Sequence, residues 1–256
     1  KEANSENLSI RDRQTGDVFL FYNYMNLDIA KDVYRFMVIK SADNGVSWSN
    51  PKDITEQITK KDWNNDFMFI TSGRGTQSKD GTLLHCLVNL DKGTHVFGSK
   101  DHGDSWFLID YPLKPGDESK IIELSNGDWL VNSRVNSNKF RYSHLTKDKG
   151  KSWFTFENKD LPDPACNASL VNYNTSSENL LLFSNAFDSK KRENLSLSIS
   201  YDQGKSWIKN KTIYKGSSAY STMTRLNNGD VGLFFEKDNY TKNVFVRIPK
   251  KWIIKN

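Results

Sequence analysis

The sequence is poor in the residues that mark metal, disulfide or membrane proteins. Cysteine occurs twice and histidine four times among 256 residues, with no CxxC pair and no Cys/His cluster of the kind that binds zinc. Cys86 and Cys166 can form one disulfide at most. No stretch approaches the ~20 apolar residues of a membrane-spanning helix, and the first ten residues lack the charge and the apolar core of a signal peptide. We therefore expect neither a metal site nor a membrane span.

The composition favours a folded chain with an ordinary solvated surface. Hydrophobic residues make up only 36% of the chain, but aromatic residues reach 12%, with seven tryptophans. This combination is typical of a folded protein with many short elements rather than of a disordered chain. The net charge of +5 arises from 36 basic and 31 acidic residues, and the lysines are scattered among acids. Nucleic acid is therefore not expected as a partner.

One eight-residue pattern, Ser/Thr-x-Asp-x-Gly-x-Ser-Trp, occurs four times. Its aspartates are Asp43, Asp101, Asp148 and Asp202. In such a turn the Asp can accept bonds from backbone amides, the Gly takes a positive φ, and the Trp packs under the turn. We interpret the four carboxylates as structural, because a catalytic group is needed once and these occur four times. Their spacing of roughly 50 residues suits one four-stranded sheet per repeat.

A second repeat places a turn before a short apolar run. It occurs five times, in segments that begin at residues 15, 80, 126, 177 and 228. The runs have strand length and are bounded by turn residues, so we predict strands, most of them central and buried on both faces. With short helical turns only at 54–62 and at the chain end, the pattern predicts an all-β propeller. No domain boundary is visible, so residues 1–256 are predicted to form one domain.

The four Ser/Thr-x-Asp-x-Gly-x-Ser-Trp turns, which we call Asp boxes, and the motifs between them resemble those of bacterial-type sialidases (neuraminidases). The fold of that family is a six-bladed β-propeller. The segment GDESKIIELSNGDWLVNSR resembles the stretch that assigns the family's catalytic glutamate to Glu118 and one arginine of its carboxylate-binding triad to Arg134. RENLSLSISYDQGKSW assigns a second triad arginine to Arg192. SSAYSTMTRLNNGDVGLFFE assigns the nucleophile to Tyr220, and to Glu236 the role of orienting the first triad arginine. LPDPACNASLVNY also resembles a family segment, which we interpret as mostly structural.

These residue types suit the chemistry that the resemblance implies. A sialic acid carries a carboxylate on its anomeric carbon, which would repel an Asp or Glu nucleophile but not the neutral phenol of Tyr220. Because the ordinary pKa of tyrosine is near 10, the phenol needs a base such as Glu118. The planar, always charged fork of an arginine matches a carboxylate. The resemblance implies a retaining exo-α-sialidase that acts on sialylated glycans without a metal or organic cofactor.

The N-terminal part of the family pattern has no counterpart in this sequence. Sialidases open with a Phe/Tyr-Arg-Ile-Pro motif, which carries the first triad arginine, and place an acid/base aspartate shortly afterwards. The only RIP here, Arg247–Pro249, follows the nucleophile segment and is not accepted as that motif. We therefore expect a six-bladed propeller that is incomplete in this chain, with about one N-terminal blade absent. A separate N-terminal fragment would complete it.

Two other functions remain open at this point. One is a non-catalytic, lectin-like propeller that binds sialic acid. The other is a structural Asp-box scaffold that binds protein partners. Taken alone, Tyr220 would be a packing residue and each arginine a surface ion pair, and only their joint order favours catalysis. Because sialic acids lie mostly on cell-surface and secreted glycans, the expected location is secreted or at the cell surface.

Overall fold

The computed structural model describes residues 2–4, 8–26, 28, 33–64, 66–175 and 178–254. Most of this chain is in short β-strands. In chain order they are β1 (Glu2–Asn4), β2 (Leu8–Arg11), β3 (Val18–Asn26), β4 (Arg35–Ser41), β5 (Lys52–Asp53), β6 (Met68–Ile70), β7 (Gly73–Arg74), β8 (Thr76–Gln77), β9 (Leu83–Asn89), β10 (Gly93–Ser99), β11 (Phe107–Leu108), β12 (Ser119–Glu123), β13 (Trp129–Ser133), β14 (Phe140–Thr146), β15 (Phe154–Pro162), β16 (Ser169–Asn172), β17 (Leu181–Ala186), β18 (Glu193–Ser200), β19 (Ile208–Arg225), β20 (Val231–Lys237) and β21 (Lys242–Ile248).

The helices are short, as the sequence predicts. They are α1 (Thr55–Ile58), a 3-10 turn (Lys61–Trp63) and α2 (Lys250–Ile253). Among the residues described, no helix is long and apolar enough to cross a bilayer.

The strands form four sheets. The first has the order β5-β4-β3-β2-β7, with β1 beside β3, and the second has the order β11-β10-β9-β6, with β8 beside β9. The third is β12-β13-β14-β15, and the fourth is β16-β17-β18-β19-β20-β21. Each of the five turn-strand repeats supplies a strand that follows its turn, namely β3, β9, β13, β17 and β20. Three of these, β9, β13 and β17, are buried along their whole length.

Five repeats give four sheets because β19 is shared. Its 18 residues pair with β18 up to Ser217 and with β20 from Ser218 onward. The fourth and fifth repeats are therefore hydrogen-bonded into a single six-stranded sheet. Sequence periodicity cannot reveal this, because both halves of β19 read as ordinary separate strands.

The four Asp-box turns have one hydrogen-bond pattern. In the first, Ser41 Oγ donates to Asp43 Oδ1 at 2.8 Å, and Asp43 accepts from the Ser47 amide at 2.8 Å and from the Ser47 hydroxyl at 2.6 Å. The same bonds recur around Asp101, Asp148 and Asp202. Both oxygens of each carboxylate therefore bind their own turn, as the structural interpretation predicts.

The residue before each Asp-box glycine also adopts a left-handed conformation, which the sequence did not indicate. These residues are Asn44, His102, Lys149 and Gln203, with φ between 57° and 63°. Among these residue types, Asn and His are enriched in this region, whereas Lys and Gln are not. The repeated Asp and Ser/Thr bonds hold Lys149 and Gln203 there.

Contacts divide the chain into two compact units. The first comprises Lys1–Glu123, Gly127–Val131 and Leu145–Phe154, and the second comprises Leu124–Asn126, Asn132–His144 and Thr155–Asn256. In the first unit, the rings of Phe21, Phe97 and Trp106 meet edge-on or tilted at 5.0 to 5.8 Å.

The second unit has its own core, which fixes β19 and β20, the strands that carry Tyr220 and Glu236. Its buried side chains come chiefly from β17, β18, β19 and β20 and include Leu182, Leu197, Met223 and Leu233. Each of these four side chains is at most 1% exposed. Burial of aliphatic side chains on consecutive strands holds the register of those strands.

Candidate active site

Tyr220 lies at an irregularity in β19. The pairing of β19 with β20 passes from Ser218↔Lys237 to Ser221↔Phe235, so β19 advances three residues while β20 advances two. Such a bulge redirects a side chain that a regular strand would alternate between faces. The half-buried Tyr220 ring packs against the small buried side chains of Cys166, Ala186 and Ala219.

Glu236 contacts the backbone of Tyr220. Its Oε2 accepts a hydrogen bond from the Tyr220 amide at 3.1 Å, and Glu236 itself lies on the neighbouring strand, opposite Asn243. Because Tyr220 lies within the bulge, its amide is outside the paired positions of the ladder. The Glu236 carboxylate accepts the hydrogen bond that a strand carbonyl would accept in a regular ladder. The predicted role of Glu236 in orienting another arginine stays a prediction.

Arg134 approaches the hydroxyl of Tyr220. It directly follows β13, and its Nη1 lies 3.5 Å from Tyr220 Oη, a long hydrogen-bond distance. Its Nε donates to Asn136 Oδ1 at 2.8 Å, which fixes the plane of the guanidinium. The Arg134 side chain is half-buried.

Arg192 lies over the ring of the same tyrosine. Its guanidinium carbon is 5.7 Å from the Tyr220 ring centroid. Nη1 donates to Tyr240 Oη at 2.9 Å, and Nη2 donates to the carbonyl of Ala165 at 2.7 Å. Burial disfavours the charge, but Cys166 and the bond to Tyr240 outweigh burial, so the pKa of Arg192 is raised above its ordinary value.

A buried ion pair shapes the loop that receives Arg192. Asp163 accepts from Arg141 Nη1 at 3.1 Å and from the Cys166 amide at 2.9 Å, while Arg141 Nη1 donates to the Cys166 carbonyl at 2.7 Å. Between Asp163 and Cys166 in the chain, Ala165 adopts a left-handed conformation with φ 57°. The LPDPACNAS segment, which we interpreted as mostly structural, thus also supplies the carbonyl that holds Arg192.

The predicted residues fall into two groups. Arg134, Arg192, Tyr220 and Glu236 all belong to the second unit, and the structure brings them together around the Tyr220 ring and backbone. Glu118 belongs to the first unit, where it directly precedes β12, is 3% exposed and donates its amide to Asp117 Oδ1 at 2.7 Å.

Sequence reasoning missed Tyr240 and Ala165. Both contact Arg192 from distant points in the chain. Ala165 lies in the LPDPACNAS segment, which we interpreted as mostly structural, and Tyr240 lies outside the motifs quoted above. Cys86 and Cys166 are both buried thiols. In the part of the chain that the structure describes, no group of three His, Cys, Asp or Glu side chains is placed to hold a metal ion.

Comparison with known proteins supports the predicted resemblance. A sialidase of Bacteroides fragilis is 31% identical over 234 residues, which cover 86% of this chain and 42% of the relative. A sialidase of Micromonospora viridifaciens is 32% identical over 253 residues, covering 88% of this chain and 39% of the relative. The chain thus spans less than half the length of these two relatives.

Solved structures confirm the fold. Hadza microbial sialidase Hz136 superposes with a TM-score of 0.88 at 25% identity, over 98% of this chain and 53% of that one. The intramolecular trans-sialidase from Ruminococcus gnavus shares the fold with a TM-score of 0.80 at 15% identity, over 97% of this chain and 78% of that one. The predicted all-β fold, an incomplete propeller of the sialidase type, is confirmed.

A family model gives the assignment directly. The model of the BNR repeat-like domain matches residues 3–233, which include all four Asp boxes and Tyr220. The chain belongs to the BNR repeat-like family, and within that family it resembles the sialidases.

Proposed function

We propose that the protein is a retaining exo-α-sialidase, a glycoside hydrolase that releases terminal sialic acids from glycoconjugates with Tyr220 as nucleophile. The observation that carries this proposal is the convergence of two arginines on one tyrosine: Arg134 Nη1 at 3.5 Å from the phenolic oxygen and the Arg192 guanidinium at 5.7 Å from the ring centroid. Packing alone does not explain why two guanidinium groups from distant parts of the chain lie beside one tyrosine.

The first step uses the Tyr220 hydroxyl. Its oxygen attacks the anomeric carbon, the glycosidic C–O bond breaks, and the phenolic proton passes to a base, the role that the family resemblance gives to Glu118. Two guanidinium groups beside the ring stabilise negative charge that develops on the phenol as the proton leaves. The leaving oxygen must take a proton from an acid, which in sialidases is an aspartate whose motif this sequence does not match. Water then hydrolyses the sugar–tyrosine bond with retention of configuration.

Arg134 and Arg192 bind the carboxylate of the sugar in this proposal. Arg192 is already oriented at both terminal nitrogens, and Arg134 is oriented at Nε. Side chains held by other contacts lose less conformational freedom when ligand binds. Glu236 positions the nucleophile through its backbone amide, besides its predicted role towards another arginine.

Release of 4-methylumbelliferone from its α-sialoside tests the function. Tyr220→Phe removes one hydroxyl, and should abolish both turnover and the covalent adduct that a 2,3-difluorosialic acid forms with the native protein. Glu118→Gln should lower the rate of the first step by about 10²–10⁴-fold. Tyr201→Phe is the matched control, because Tyr201 is 54% exposed and lies in an Asp-box turn.

The same variants separate catalysis from binding alone. A catalytic site predicts that Tyr220→Phe still binds sialic acid while turnover is lost. Binding by the native protein without turnover or adduct would refute the enzyme and favour the lectin-like function.

The proposed substrates also set the expected location. Terminal sialic acids lie mostly on secreted and cell-surface glycans, so we propose that the protein is secreted or held at the cell surface. Immunodetection in culture medium and surface fractions tests this, and detection in the cytoplasm alone would contradict it.

A further inference from the structure

We propose that Tyr240 is a further substrate-binding residue, which orients Arg192 and donates its phenolic hydrogen to the carboxylate of the bound sialoside. The inference deepens the proposed function and rests on it. Tyr240 lies in the turn between β20 and β21, 20 residues beyond Tyr220, and belongs to the same unit as Arg192.

The geometry of the hydrogen bond leaves a donor available. Arg192 Nη1 donates to Tyr240 Oη at 2.9 Å, so the phenolic oxygen acts here as acceptor. A guanidinium has no acceptor, so the O–H of Tyr240 cannot donate back to Arg192. A carboxylate that binds Arg192 would lie beside this hydroxyl and offer it an acceptor. One phenol would then both hold the arginine and contact its ligand.

The backbone at Tyr240 is strained in a way that local sequence does not require. Asp238, Asn239 and Tyr240 have φ of 53°, 54° and 65°, three consecutive left-handed residues without a glycine. A left-handed conformation costs an ordinary residue such as Tyr on the order of 1–2 kcal/mol. Such strain persists only where surrounding contacts impose it, and it concentrates at functional sites.

Those contacts come from β19 and from the turn itself. The amide of Asp238 donates to the Ser217 carbonyl at 3.0 Å, and the amide of Asn239 donates to Ser217 Oγ at 3.0 Å. The Asp238 carboxylate accepts from Tyr214 Oη at 2.5 Å and pairs with Lys242 Nζ at 3.2 Å. Ser217 directly precedes the stretch that contains Tyr220, so the turn is fixed to the strand of the nucleophile.

Packing does not account for Tyr240. The residue is 57% exposed, and the ring therefore contributes little to the core. Tyr240 is strained and exposed, and its hydroxyl contacts a proposed carboxylate-binding arginine. Its conformation is therefore best explained by a role of the hydroxyl in substrate binding.

Calorimetric titration of the full chain with methyl α-sialoside and with its methyl ester tests the proposal. The ester keeps the sugar but removes the carboxylate charge. We expect Tyr240→Phe to weaken binding of the acid about tenfold, the effect of losing one hydrogen bond to a charged group. Binding of the ester should stay within about twofold. Tyr201→Phe should change neither affinity.

The outcomes separate this inference from the proposed function. If the native chain prefers the acid and Tyr240→Phe does not alter that preference, the Tyr240 contact is refuted while the sialic acid site stands. If Tyr240→Phe weakens acid and ester equally, the hydroxyl serves the fold of the turn and the carboxylate contact is refuted. If the native chain binds neither ligand, the proposed function fails, and the inference that rests on it fails too.

Discussion

Replacement of Asp163 by Asn should strongly destabilise the second unit, because it breaks a buried ion pair without changing side-chain shape. Arg141 and Asp163 are 0% and 1% exposed. Asp163 Oδ2 accepts from Arg141 Nη1 at 3.1 Å, and Oδ1 accepts from the Cys166 amide at 2.9 Å. In Asp163→Asn one carboxylate oxygen becomes an NH₂ group. If that group faces Arg141, two donors oppose each other and the guanidinium loses its counter-charge.

The size of the effect follows from the burial. Removal of one partner from a fully buried pair costs about 3–5 kcal/mol, because the remaining charge cannot be solvated. Arg141 keeps its bonds to Asn132 Oδ1 at 2.9 Å and to the Cys166 carbonyl at 2.7 Å, which favours the lower half of that range. For a chain of this length, 3–5 kcal/mol corresponds to a fall in Tm of roughly 6–20 °C.

Thermal unfolding followed by tryptophan fluorescence measures the shift. Glu178→Gln is the control, because it removes an exposed carboxylate of the same unit and should change stability by less than about 0.5 kcal/mol. The double variant Arg141→Met with Asp163→Asn should lose less than the two single variants added together, since they share one interaction. A Tm for Asp163→Asn within about 2 °C of the native value would refute the reasoning, as would strict additivity.

Three further predictions follow from the turns and the buried thiols. Hydrogen bonds from the Ser47 side chain and amide lower the pKa of Asp43 from 3.8 to about 2. The stability that Asp43 contributes is therefore present above about pH 4 and lost as the pH falls towards 2; urea titrations should show a shallower pH dependence there for Asp43→Asn. Gly103→Ala should cost on the order of 1–2 kcal/mol from its backbone alone, since φ is +87°, and the added Cβ would lie 2.3 Å from a buried phenylalanine ring; an unchanged urea midpoint would contradict this. Burial raises the pKa of Cys86 to about 12, and the Cys166 side chain is equally inaccessible at 0% exposure, so neither thiol should react with Ellman's reagent at pH 8 until the chain is unfolded.

Local sequence signals were sufficient for the strands and the turns. A turn before each short apolar run identified β3, β9, β13, β17 and β20, and three of these, β9, β13 and β17, are buried along their whole length. The Asp-box turns could also be predicted from sequence, since the hydrogen bonds that stabilise each turn join residues at most four positions apart.

The contacts around Arg192 could not be predicted in the same way. Ala165 acts through a backbone carbonyl, which any residue possesses, and its function comes from the loop conformation that Asp163 and Arg141 impose. Tyr240 acts through a hydroxyl that meets Arg192 across 48 residues of sequence. Neither contact leaves a periodicity or a spacing, because each depends on how the surrounding strands and loops are placed.

The meeting of Arg192, Tyr220 and Glu236 is a consequence of strand register. The Ser218 amide donates to the Arg192 carbonyl at 2.9 Å, which fixes the start of β18 against β19. On the other side of β19, Ser218 pairs with Lys237, which directly follows Glu236. The bulge between Ser218 and Ser221 then places the Tyr220 amide on the Glu236 carboxylate. One continuous strand, β19, thus brings together residues that sequence motifs identified only separately. Arg134 approaches them from the end of β13, a strand of the third sheet. A register shift of one residue in β19 would separate all three, so the buried core of β17 to β20 preserves the site as well as the fold.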